Sequence, residues 1–413
     1  MRLKNGSVNT NRAAKFVLDT LNLDTCRPDV SGIALGDWDH FLRLARIHRL
    51  GPMLCSRLDH AGLAEPIPES VLDALRPTHR RNALRALKMF RELVNVTEAL
   101  NEAGIPSIAL KGAYLAQFAY PSPALRPLRD LDLLLHREQA VDAFRFLVER
   151  GYRPLFHGFP ESYLEFGKHL PSLISPDGIE IELHFQLVET GLTCLRPSPD
   201  EIWKKSATRK IAGSAVRFLG KEDLLLHLCV HATLQHNLNV GPLALSDVAF
   251  LLESHDIDWE DFLNATRAGT WQRCALILLH LAKMHVGAKV PDEVLHRLGE
   301  TGKETLEHAE HLLFSDPAMH KLEGAAGFFA SGTLLERLSG LSGKIFRPRT
   351  FIAKIFPARA ASPKVFMYYP VYWFRLLRTR VLNILSESYS RRRELDEFAL
   401  HRNEFDRWLK NLN

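Results

Sequence analysis

Two aspartates one residue apart, Asp130 and Asp132, interrupt the otherwise apolar stretch RDLDLLL. Its alternation is that of a β-strand, in which residues i and i+2 share a face. The two carboxylates therefore lie side by side, roughly 6–7 Å apart at the backbone, while Leu131, Leu133 and Leu135 point the other way into a core. Neighbouring carboxylates repel and raise one another's pKa. An edge strand with a solvated polar face is one way to tolerate the pair. A divalent cation is the other, since hard oxygen ligands on one face suit Mg²⁺, with Mn²⁺ as a substitute. A third acid lies in IEIELHFQL, where Glu180, Glu182 and His184 share one strand face and Ile181, Leu183 and Phe185 the other. If the two strands are neighbours, Glu182 faces Asp130 and Asp132. Three such acids can hold two Mg²⁺ ions, which activate an attacking oxygen and clamp the triphosphate of a nucleotide. His184 either contacts the nucleotide, orients a carboxylate or is a structural histidine satisfied by backbone.

Lys111 and Gly112 end an apolar run, IPSIALKG, and open a short helix, AYLAQFAY. A helix start with a glycine allows a phosphate to approach the backbone, and Lys111 adds a mobile positive charge. A plain surface turn explains the same dipeptide. Arg126, just before the acidic strand, could reach a phosphate or pair with Asp130.

These residues need a sheet to position them. The order from Ile105 onward is strand, short helix, a turn containing Pro121, Pro123 and Pro127, the acidic strand, an amphipathic helix closed by Gly151, and a short strand in GYRPLF. HLPSLIS and IEIELHFQL follow, joined across Pro176-Asp177-Gly178, and Asp-Gly between two β-prone runs signals a hairpin. This describes a small mixed-sheet α+β core. The expected organisation is an N-terminal helical region over 1–103, frayed to about residue 10; the core over 104–190; a helical domain over 191–341 with one hairpin in RKIAGSAVRFL; and a basic, aromatic-rich helical region over 342–413. Arg80, Arg81, Arg85, Lys88 and Arg91 read as a solvated helix face.

Composition excludes several classes. At 413 residues, 46% hydrophobic, 24% charged and a net charge of +5, the chain is globular and mildly basic, too weakly so to expect nucleic acid as partner. Five widely spaced cysteines without a CxxC read as reduced thiols of a cytoplasmic protein. There is no leader-like apolar segment at the start and no run long enough to span a bilayer. GxSxG, GxxxxGKS and GxGxxG are all missing.

The segment LKG(x)13RPLRDLDLLL, a helix, GYRP and then IELHFQL resembles the uncharacterised nucleotidyltransferase family of bacteria, within the DNA polymerase β-like superfamily. The resemblance covers Ile105 to about Gln186 well and extends into DWDHFLRLARIHRLGPML and LLHLCVHATLQHN…LALSDVAFLL. It implies Mg²⁺-dependent transfer of a nucleoside monophosphate from an NTP to an acceptor. Asp130 and Asp132 would be metal ligands and Glu182 the third acid. Lys111 and Gly112 would replace the superfamily's Gly-Ser or Gly-Gly phosphate turn, a departure because Ala113 and Tyr114 follow instead of a hydroxylic residue. The acceptor stays open among sugars, lipids, peptides and proteins. An inactive scaffold and a protein AMP-transferase are the competing functions.

Two other features stand out. His227 and His231 are four apart and share a helix face, but HLCVH lacks the glutamate of HExxH, so this face more readily covers the nucleotide site than binds zinc. Asp247 reads as a cap, or as a group that holds a histidine or the core, and not as a catalytic residue. From Lys344 to Arg380 there is no acidic residue, and aromatics interleave with basic side chains. That stretch reads as a packed helical tail, a surface for an anionic partner, or a segment peripheral to a membrane.

Overall fold

The computed structural model describes residues 7–25, 28–31, 33–60, 67–155, 159–165, 167–188, 199–268, 271–319, 347–356, 361–376 and 391–410. Among the described residues the chain forms seven strands: β1 (Ser107–Ala109), β2 (Asp130–Leu135), β3 (Arg153–Pro154), β4 (Leu173–Ile174), β5 (Glu180–His184), β6 (Ala207–Ile211) and β7 (Ser214–Phe218). They make one sheet in the order β3-β4-β5-β2-β1-β7-β6. β2 runs parallel to β5 and β1 parallel to β7, while the other pairs are antiparallel. The chain is thus an α+β protein with a mixed sheet, as the sequence led us to expect.

β2 lies between β5 and β1, so the solvated-edge explanation of Asp130 and Asp132 fails. Leu131, Leu133, Leu135, Ile181 and Leu183 on the opposite face are all essentially inaccessible. At about 25 cal/mol per Å² of apolar surface removed from water, this layer fixes which face of each strand points outward. A slip of one residue would bury the acids and expose the leucines. The Asp177-Gly178 hairpin forms as expected: Gly178 takes a positive φ of 79°, and Ser175 accepts from the Gly178 amide at 2.9 Å. The RKIAGSAVRFL hairpin also forms, with positive φ at both Ala212 and Gly213 in its turn. Its second strand pairs with β1, so the sheet continues past residue 190.

Helices flank the sheet on both sides in sequence. The first, Ser7–Leu21, starts earlier than the fraying expected to residue 10. The longest, Glu69–Glu102, runs through Pro77 and ends before Gly104, whose φ is 71°. One side of it braces the chain that leads into β2. Asn82 donates to the Ala124 carbonyl at 2.6 Å, and Arg85 donates to the carbonyls of Leu128 (2.7 Å) and Arg129 (2.6 Å). Arg85 is therefore part of the scaffold of the acidic strand, not only of a solvated face. Arg91 pairs with Asp177 in the hairpin turn.

One apolar core extends from Ala13 in the first helix to Leu409 in the helix Arg392–Lys410. A second, small cluster joins Ile352, Phe356, Val365 and Tyr372. The expected helices up to Leu341 lie outside the described residues beyond Met319. So do Lys344, Phe346, Arg359, Arg378 and Arg380 of the basic, aromatic stretch. No helix among the described residues is long and apolar enough to cross a membrane.

Candidate functional site

Parallel pairing of β2 with β5 sets Asp130 beside Glu180, Asp132 beside Glu182 and Leu134 beside His184. Strands in a sheet are about 4.8 Å apart, so this register gathers the acids without help from a loop. His184 is buried, and its Nε2 lies 3.0 Å from Asp132 Oδ1 and 3.2 Å from Glu182 Oε2. Its Nδ1 has no hydrogen-bond partner among the described residues, and Nε2 carries the proton because both of its partners are carboxylates, which only accept. His169 joins from the neighbouring strand segment: it bridges to His184 across the sheet, with its Nε2 3.8 Å from Glu182 Oε2.

Lys111 reaches the same group from the end of β1. Its Nζ sits 3.0 Å from Asp132 Oδ2. Leu110 is held by its amide donating to the Asp132 carbonyl at 2.9 Å, and Lys111 then takes φ 34°, ψ −103°. A non-glycine residue in this region stores roughly 1–3 kcal/mol of strain, tolerated here because it aims the ammonium at the acids. Asn237 and Arg49 also have positive φ, and both line the cavity described below.

The charges respond to one another. Burial, then repulsion by Asp132 and Glu182, pushes the Asp130 carboxyl up to about 6. Burial works against the Asp132 anion too, but Lys111 and His184 overcome it and hold that carboxyl well below its usual range. Glu182 is lowered, burial being outweighed chiefly by its bond to His184. For His184, burial opposes the cation and the bonds to Asp132 and Glu182 outweigh it, so its pKa is raised.

Asp132, Glu182 and His184 each present a ligand atom, all within 4.8 Å of one another. The acids already recruit an ammonium and an imidazole as positive partners, so this donor set fits a cation with hard-oxygen preference. Asp130 lies one step along the strand, on the same face, at the wall of a cavity of about 770 Å³. Lys111, Gly112, Arg126 and Glu182 line that cavity as well, whereas His184 lies behind the carboxylates.

Arg126 lines the cavity but is paired with Asp247 and not with Asp130. Its Nε and Nη2 donate to the two carboxylate oxygens of Asp247, both at 2.8 Å, and Tyr120 donates to Asp247 Oδ1 at 2.8 Å. Burial disfavours the Arg126 cation, but Asp247 more than compensates and its pKa is raised. Asp247 thus holds an arginine and not a histidine. The close approach that Gly112 permits is to this arginine: a Cβ at Gly112 would meet Arg126 Nη1 at 2.5 Å and Leu128 Cδ2 at 2.8 Å.

The helix Lys221–Val230 covers the site, continuing into a single π-helical turn, His231–Gln235. His231 and His236 line the cavity, while His227 is buried with neither ring nitrogen bonded among the described residues. Gln235 ties the cover down by donating to the Leu187 carbonyl and accepting from Lys168 Nζ, both at 2.9 Å. Several cavity residues went unnoticed in the sequence: Arg49, Arg129 and Lys168 from the core side, and Arg402, Asp406 and Lys410 from the C-terminal helix. Only the strained backbone at Arg49 marks any of them, and backbone strain is not legible in a sequence. The cavity therefore combines a carboxylate floor with basic walls, the electrostatic pattern that suits a metal-bound polyphosphate.

A search of curated proteins found no match. The family model of the uncharacterised nucleotidyltransferases matches residues 35–287, more than half of the chain. The match spans β1 to β7, the acids of β2 and β5, and the covering helix. With its sheet, its acids and this match in agreement, the chain belongs to the uncharacterised nucleotidyltransferase family.

Proposed function

We propose that the chain transfers a nucleoside monophosphate from an NTP to an acceptor bound in the 770 Å³ cavity, with release of pyrophosphate. The observation that carries this reading is the in-register pairing of Asp132 with Glu182, backed by His184 and charge-compensated by Lys111, at the cavity wall. Asp130, Asp132 and Glu182 would hold Mg²⁺, which would supply charge neutralisation and an activated acceptor oxygen. Lys111, now against Asp132, is positioned to turn to the phosphates when a cation takes over its carboxylate partner. Arg49, Arg129 and Lys168 supply further positive charge along the path of the triphosphate. The acceptor hydroxyl oxygen bonds to the α-phosphorus as the bond from that phosphorus to the bridging oxygen of the β-phosphate breaks. Pyrophosphate leaves with that oxygen, and the hydroxyl proton passes to a site carboxylate, the role Glu182 takes where it does not itself hold the ion.

Arg126 acts in this scheme as a positioning residue. It ties the segment before β2 to the helix Leu243–Ser254 through Asp247. His184 orients Asp132 and Glu182, which supports its second expected role over direct contact with the nucleotide. The complete acid set speaks against an inactive scaffold. For the basic, aromatic stretch we retain an anionic or membrane-surface partner, peripheral to the cytoplasmic face. Exposed Phe366, Met367, Val371 and Phe374 beside Arg349, Lys364 and Arg375 support it.

The test is to incubate the protein with α-phosphate-labelled NTPs, Mg²⁺ and a cell lysate, alongside the Asp132→Asn variant. Mg²⁺-dependent label in a small soluble product, absent with the variant, supports transfer to a small acceptor. Label on a protein band favours AMP transfer to protein. No transfer from any NTP, with pyrophosphate release no faster than with the variant, would contradict the reading.

A further inference from the structure

A second set of ligand-type side chains lies away from the sheet, beyond the family match. The helix Lys303–Phe314 carries His308 and His311 three residues apart, and the helix Arg392–Lys410 carries Glu397 and His401 four residues apart. Each spacing puts both side chains on one helix face. The two faces meet: His311, Glu397 and His401 offer ligand atoms all within 4.8 Å of one another. The rings of His311 and His401 stack at 3.9 Å between centroids and 14° between planes. His308 and His401 share one proton between their Nδ1 atoms, 2.7 Å apart.

We propose that His311, Glu397 and His401 form a zinc-type metal site that fastens the C-terminal helix to the helix Lys303–Phe314, with His308 orienting His401. Two imidazoles and one carboxylate are ligands of the borderline-soft kind that Zn²⁺ takes in tetrahedral sites, with water or a fourth side chain completing the set. A hydrogen bond to the other nitrogen of a ligating histidine is what fixes its tautomer and direction. With His401 held by His308, coordination would rotate the stacked His311 ring edge-on toward the ion, since an imidazole binds through a lone pair in its plane. Glu397 is exposed and His311 and His401 are partly so, which leaves a path for the ion.

The consequence reaches the cavity. Arg402, one residue after His401, and Asp406 and Lys410 further along the same helix line its wall. With its amide oriented to donate to Asp406 Oδ1 at 3.1 Å, Asn237 accepts from Arg402 Nε at 3.0 Å. Arg273 adds a bond to the Trp408 carbonyl. A metal at His311 and His401 would thus set the position of the helix that closes one side of the cavity. This site is independent of the reaction proposed above.

The experiment is to strip the full-length protein of metal, then titrate Zn²⁺ while following thermal unfolding, and Co²⁺ while following its visible absorption. Wild type should bind one ion more than a His401→Gln or Glu397→Gln variant does, with a cobalt spectrum of four-coordinate nitrogen and oxygen ligation and a raised Tm. In either variant, affinity at this site should fall by about 100-fold or more, whereas Asp132→Asn should leave it in place. The mutated positions are exposed or half-exposed, and the unfolding curves report that each variant is folded before its metal binding is compared. No binding to folded wild type would overturn the proposal. So would a cobalt spectrum that survives both variants and disappears in Asp132→Asn, because the ion would then lie among the sheet acids.

Discussion

The acids on the sheet and the histidines between the helices Lys303–Phe314 and Arg392–Lys410 are both clusters of three ligand-type side chains, assembled by opposite means. Asp132, Glu182 and His184 sit on two hydrogen-bonded parallel strands, so the backbone ladder sets their spacing. His311, Glu397 and His401 come from helices joined by side-chain packing, so their spacing depends on how those helices sit. The sheet set is rich in carboxylates and already has Lys111 as a counter-charge. The helix set is rich in imidazoles, stacked face to face. A ladder can preorganise charge for chemistry at a fixed point, whereas a helix pair gives a ligand the means to move one wall of a cavity.

Removing the core of the rigid set should have the largest effect. Asp132→Asn deletes the carboxylate shared by Lys111 and His184, and transfer should fall by about 10³-fold, the equivalent of about 4 kcal/mol in transition-state stabilisation. Single-turnover rates with labelled NTP measure this. A loss below tenfold would mean that Asp132 is not part of the reacting site.

The next largest effect concerns how the sheet set is carried. Arg126→Ala leaves Asp247 buried with Tyr120 as its remaining side-chain donor among the described residues, and unfolding in urea should show a loss of about 3–5 kcal/mol. Arg126→Met with Asp247→Leu should recover much of it, because no buried charge is left alone. If Arg126 instead serves the nucleotide directly, the single variant should lower nucleotide affinity without this loss of stability. Gly112→Ala should cost about 1–3 kcal/mol by pushing on Arg126 and Leu128, whose positions are fixed. A neutral result there would separate Gly112 from the Arg126–Asp247 pair.

The smallest effect is in pH. Asp130 is raised to about 6, first by burial and then by its acidic neighbours. A proton competes with the cation for this carboxylate, so Mg²⁺ affinity is full above pH 6 and falls by up to tenfold per unit below it. The same raised pKa means that the metal-free fold binds this proton more tightly than the unfolded chain does. On Asp130's account alone, metal-free stability therefore declines as pH rises from about 4 to 6. Mg²⁺ titrations at several pH values measure the first effect. An affinity flat from pH 7 to 5 would place Asp130 outside the ion's reach.

The same contrast explains what the sequence revealed. Period-two alternation put Asp130, Asp132 and Glu182 on defined faces, and the Asp-Gly turn announced the hairpin, so the sheet set was legible before any coordinates. The partnership of Arg126 with Asp247 was not, because it joins residues 121 positions apart through packing alone. Likewise the spacings His308/His311 and Glu397/His401 are visible within each helix, but nothing local says that these two helices face each other. The basic side chains of the cavity walls arrive from distant elements for the same reason.

The most direct measurement is calorimetry of non-hydrolysable NTP analogues, with and without Mg²⁺, on wild type and on the Asp130→Asn/Asp132→Asn variant. The expected result is binding by wild type that requires Mg²⁺ and disappears in a variant that circular dichroism shows to be folded. Binding that ignores Mg²⁺, binding that persists in the variant, or none at all by folded wild type would contradict a metal-dependent nucleotide site on β2 and β5.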